Sequence, residues 1–135
     1  MAGNLTNIGE ELALNLLFRN TDTKPSTISL GLATAPVEDA DDLTTITEED
    51  DAGYSRQVID FTAPSDNGNG DTEITNNAIV EFGPWDANAD NAITHAFLVD
   101  DQDRLLTWFE LPQSKTPAAG ETLTVPVNEL VFNID

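Results

Sequence analysis

Apolar positions along the chain form one helical block followed by a series of short strand-like blocks. Leu12, Ala13, Leu14, Leu16, Leu17 and Phe18 lie close together near the start, and on a helical wheel they cover most of the circumference. Asn7, three residues ahead of Glu10, has the spacing of a capping box, in which an amide oxygen and a carboxylate satisfy the first free amides. A helix is therefore predicted over residues 8–19, with Glu10 and Glu11 at its positive end and Arg19 at its negative end, as the helix dipole favours. A single core-facing stripe cannot hide that many apolar residues. The helix is expected either to sink into the core or to press on a neighbouring subunit.

Lys24-Pro25-Ser26 breaks the helical pattern, and strand-like blocks bounded by Gly, Pro, Asn and Asp take over. The predicted strands are Thr27–Thr34, Ser55–Thr62, Ala78–Phe82, Ile93–Asp100, Arg104–Leu111, Thr122–Val125 and Glu129–Ile134. In the first of these, Ile28, Leu30 and Leu32 alternate with Ser29 and Gly31, placing the leucines on one face. Val99 to Leu105 reads as a hairpin around Asp100-Asp101-Gln102-Asp103. One helix followed by seven short strands in 135 residues gives a single mainly β domain, a β-sandwich or Greek-key barrel. Pro36–Ala52 and Pro64–Thr72 are left as long polar loops, solvated or engaged by a partner.

Charge narrows the class of partner. Twenty-five acidic residues against five basic ones give a net charge of −20, and the basic residues Arg19, Lys24, Arg56, Arg104 and Lys115 are scattered singly. Neither a phosphate backbone nor an anionic membrane surface is an expected partner for such a chain. Such acidity keeps a densely arrayed protein soluble, and it also resembles the high-salt adaptation of marine or halophilic hosts. There is no cysteine, so no disulfide or thiolate metal site can form. The first residues lack a basic stretch and a long apolar run, so no secretory signal is expected.

The residues give no catalytic, cofactor or metal site. His95 stands alone within a predicted strand, without a nucleophile context. Asp86-Ala87-Asn88-Ala89-Asp90 begins like a calcium loop, but Asn91 stands where the loop needs glycine and Phe97 where it needs glutamate. Asp66-Asn67-Gly68-Asn69-Gly70-Asp71 is incomplete in the same way, with Asn77 at the twelfth position. Paired acids such as Asp50 and Asp51 are unavoidable among so many carboxylates and read as a solvated face. Trp85 and Trp108 are expected in core or inter-subunit packing, with a carbohydrate-stacking platform as the rival. The interface candidates are Leu14, Leu17, Phe18, Trp85, Trp108 and Phe109.

The order of blocks resembles a known family. Leu12 to Arg19, then Ile28-Ser29-Leu30-Gly31-Leu32-Ala33-Thr34-Ala35-Pro36, then Gly53-Tyr54-Ser55-Arg56-Gln57 are similar to blocks of small virion proteins of tailed phages. Asn76 to Phe82, Trp85, Ile93 to Asp100, Leu105 to Trp108 and Gly120 to Leu123 keep that family's order. The acidic Glu48–Asp51 run departs from it, standing where family members tend to be Gly-rich. The resemblance implies a non-enzymatic structural protein without a cofactor. It points first to a capsid decoration (cement) protein on the outer surface of the head, bound to the major capsid protein as a homotrimer. A tail or fibre module contacting the host surface is the alternative. The acidic loops are then expected to face outward, and the helix and strand edges to meet the virion.

Overall fold

In the computed structural model, which describes residues 1–134, the chain is mainly β and forms three open antiparallel sheets that do not close into a barrel. The strands are β1 (Gly3–Leu5), β2 (Ile28–Ala33), β3 (Gln57–Val58), β4 (Ser65–Asp66), β5 (Thr72–Thr75), β6 (Val80–Phe82), β7 (Ile93–Asp100), β8 (Leu105–Lys115), β9 (Leu123–Val125) and β10 (Val131–Ile134). A five-stranded sheet runs in the order β1-β8-β7-β2-β3, beside a three-stranded sheet β10-β5-β4 and a two-stranded ribbon β6-β9. No helix among the described residues is long and apolar enough to cross a membrane.

Strand alternation divides the large sheet into two buried faces. Leu30 lies opposite Leu98, and Leu32 and Phe109 lie opposite Ala96. These side chains pack with Val80, Phe82, Trp85, Leu123, Val125 and Leu130 in the main core. On the other face, Gly31 and Trp108 lie opposite Phe97, and Leu105 lies opposite Val99. There Ala33, Phe97, Val99 and Leu105 are roofed by Val37, with Leu43 and Ile46 packed against them. The roof comes from Pro36–Ala52, so this acidic stretch is a cover for the sheet rather than a solvated loop. Its apolar residues supply the area removed from water, while four of its eight acids, Glu38, Asp39, Asp42 and Asp50, are exposed and Glu49 is buried.

The helix, α1 (Asn7–Leu14), continues as a wider π-helical turn over Asn15–Arg19 and ends at Asn20 in the left-handed region. Its cap is Thr6, not the predicted Asn7. Thr6 is fully buried. Its Oγ1 accepts the Gly9 N–H at 3.0 Å and donates to the Leu105 carbonyl at 2.6 Å, while its N–H donates to the Leu106 carbonyl at 3.0 Å. Attachment to β8 therefore sets where the helix starts. Between the Val99/Leu105 and Leu98/Thr107 pairs the β7–β8 register shifts, which leaves Leu106 as an extra residue in β8. A Cβ on Gly9 would lie 2.2 Å from the Leu106 carbonyl oxygen, so glycine is what lets the first turn close on this bulge.

Two other expectations change. Pro64–Thr72 is largely a hairpin, β4 and β5 joined by a turn in which the Asn67 N–H donates to the Asp71 carbonyl and Gly68 and Gly70 have positive φ. Ser55–Thr62 shrinks to the two residues of β3 plus an isolated bridge from Phe61 to Asn76. Here the chain leaves the edge of the large sheet and turns toward the small one.

Candidate interaction surface

The six predicted interface residues separate into three groups. Leu14, Leu17 and Phe18 are 57%, 73% and 79% exposed, so the helix is not sunk in the core and its end offers a contiguous apolar face to solvent. Trp85 and Phe109 are both sealed in the main core, which removes them from the interface set and Trp85 from the carbohydrate platform. Both occupy inward-facing positions, Phe109 beside Leu32 and Ala96 and Trp85 against the ring of Tyr54. Trp108 is half-buried, its Nε1 donating to Asp39 Oδ1 at 2.8 Å and its ring centroid 6.0 Å from that of His95.

His95 is buried, and its Nδ1 lies 2.9 Å from Thr94 Oγ1. With Trp108, Pro36, Val37, Asp39 and Glu110 it lines a hollow of about 440 Å³. The indole N–H is held by Asp39, and Glu38 and Glu110 line the same hollow. Among the described residues no group of three or more His, Asp or Glu side chains is placed to hold a metal ion.

Several acids hold the backbone instead. Asp51 Oδ1 accepts the N–H groups of Gly53 and Asp86 at 2.7 and 2.8 Å, and its Oδ2 accepts that of Ala87 at 3.1 Å. It staples the end of the sheet cover to the turn after Trp85. The Asp86 amide, with those of Gly53 and Ala87, holds the Asp51 carboxyl below the usual carboxylate range. A carboxyl with a lowered folded pKa contributes stability that is present above its unfolded pKa of about 4 and lost as pH falls through the folded value. Glu48 is the other anchor of the cover, paired to Arg56 at 2.8 Å and accepting the Tyr54 hydroxyl at 2.8 Å. Arg56 also lies 5.6 Å from the centroid of the Phe97 ring. Neither staple was visible in the sequence, where these acids look like their neighbours.

Only Asp22, Glu48, Asp100 and Glu129 have a cationic partner among the described residues. The remaining negative charge is uncompensated and mostly at the surface, where screening acts within a Debye length of about 10 Å at 0.1 M salt. Thermal unfolding across a sodium chloride series is therefore expected to show a midpoint that rises from low salt to a plateau. A flat or falling midpoint would remove self-repulsion as a significant cost of this composition.

A second concave surface was not anticipated. A groove of about 650 Å³ runs between Leu111–Pro117 and Thr122–Pro126, with Leu32 and Ala96 at its floor. The profile of a family described as Podophage GP4 fiber I protein gp80 matches residues 4–133, nearly the whole chain. A search of curated proteins found no match to it.

Proposed function

Because the chain belongs to the Podophage GP4 fiber I protein gp80 family and is thus a small phage virion structural protein, we propose that it is a non-enzymatic component of the tail fibre. The family's description, which names a fibre, is the observation that favours the tail over the decorated head. The exposed helix end supports an assembly role: Leu14, Leu17 and Phe18 form the kind of apolar face that subunit contacts conceal. In this reading the helix end meets other subunits of the virion and the exposed acids of the sheet cover remain in water, where they discourage particles from sticking to one another. The lone histidine and the backbone-bound Asp51 have structural tasks in keeping with a non-catalytic role.

Counting this chain in purified particles, by quantitative mass spectrometry against the major capsid protein, tests the proposal. A few to a few tens of copies per particle is the expected result. Hundreds of copies would overturn it in favour of capsid decoration.

A further inference from the structure

The groove between β8 and β9 has the form of a site with a strand missing. β9 pairs with β6 along one edge, and no strand of the described residues pairs with its other edge. The consecutive residues Thr122 to Pro126 line the groove, so that free edge borders it. The opposite wall is also unpaired. β7 and β8 are in register at His95/Glu110 and again at Ile93/Lys115, which leaves Leu111–Ser114 looped away from β7, and β1 reaches only Thr107 to Phe109. Edge amides and carbonyls left open in this way are a template for an incoming extended chain.

Side chains define what that chain must carry. Leu32 and Ala96 at the floor, with Leu111 and Leu123 beside them, call for an apolar residue. One wall is unlike the rest of the molecule in charge, while Glu121 and Glu129 line the groove elsewhere. From Leu111 to Gly120 there is no acid, although the whole chain carries 25 in 135 residues. Lys115, exposed on this wall, has no carboxylate partner among the described residues. The complement is a carboxylate on the occupant. A second copy of this chain would bring another −20 of charge toward the first, which disfavours self-pairing here.

We propose that this groove receives an extended segment of a different virion protein, added as a strand to β9, with an apolar side chain over Leu32 and Ala96 and a carboxylate at Lys115. The inference rests on the virion assignment and is independent of whether the chain sits on the tail or the head.

Hydrogen exchange of the free chain and of the chain in purified particles tests it. A photo-crosslinking residue at the exposed Gln113 identifies what lies in the groove, and Lys115→Glu reports on the carboxylate. Amides of Thr122–Val125 are expected to exchange about tenfold or more slowly in the particle. Crosslinks are expected to reach another virion protein at an extended segment that carries both an apolar residue and an acid. Lys115→Glu should keep its melting temperature and enter particles less well than the parent chain. Unchanged exchange at β9, crosslinks to a second copy of this chain, crosslinks to a basic or helical segment, or undiminished incorporation of Lys115→Glu would each overturn the proposal. Copy number is read from the same particles, so failure of the fibre assignment is seen separately.

Discussion

Arg104→Ala is expected to lower the stability of the chain by about 3 kcal/mol, the scale for removing one partner of a buried ion pair. Asp100 is the reason. Its side chain is completely buried at the end of β7, and its Oδ2 receives Arg104 Nε and Nη2, each at 2.7 Å. Oδ1 accepts the N–H groups of Gln102 and Arg104 at 3.0 and 2.9 Å, closing the hairpin to β8. Those amide bonds survive the substitution, so the loss falls on Oδ2, which is left buried and without a donor. Arg104 also reaches Asp22 at 2.9 Å and the Thr23 carbonyl at 2.7 Å, tying the segment after the helix to the hairpin. The comparison variant is Arg56→Ala. That residue's pair with Glu48 is more open to water, with about a third of the Arg56 side chain exposed, and exposed pairs contribute roughly 0.2 to 1 kcal/mol. Denaturant unfolding of both variants decides the matter. A loss below about 1 kcal/mol for Arg104→Ala would mean that water or a shifted side chain satisfies Asp100.

Burial explains which parts of this fold could be read from the chain. β7 and the first half of β8 are long apolar runs because both faces of the large sheet are covered, and β7 emerged with the predicted boundaries. β1, β4 and β5 were not foreseen. They are short and polar; β1 and β5 take their strand character from partners far away in sequence, Phe109 opposite Gly3 and Phe132 opposite Ile74, and β4 takes its own from the hairpin to β5. The acidic stretch was misjudged for a different reason. Its charge count hides Val37, Leu43 and Ile46, which are spaced too irregularly to show a period but meet the same sheet face. Whether an aromatic residue is core or interface depends on which face of a strand it occupies, and neighbouring residues in β8 illustrate it: Phe109 points into the main core, while Trp108 points to the covered face. The groove beside β9 lies at a register break between β7 and β8, and Pro112, which has no N–H to give the ladder, is its local mark in the sequence.

The double variant Leu17→Asp/Phe18→Ser is expected to leave the isolated chain folded and to abolish its entry into particles. Both side chains project from the π-helical turn, beyond the part of the helix anchored through Thr6, Gly9 and Leu12. With 73% and 79% of their surface already in water, they contribute little to the fold of one chain, and surface changes of this kind alter stability by about 0.5 kcal/mol or less. Assembly is another matter. Burying a Leu or Phe side chain stabilises a contact by roughly 1.5 to 3 kcal/mol, so losing two of them and adding a charge to an apolar seam removes at least about 3 kcal/mol. At about 1.4 kcal/mol per factor of ten, that is a hundredfold or greater loss of affinity. The charge itself adds to the effect, because Leu12 to Asn20 contains no acid and is one of the places where an otherwise repelling molecule can approach a neighbour closely. Particle composition by mass spectrometry and thermal unfolding of the free chain are read together. Normal incorporation with an unchanged melt would show that the helix end faces water in the virion, and a collapsed melt would show that it supports the fold of the single chain instead.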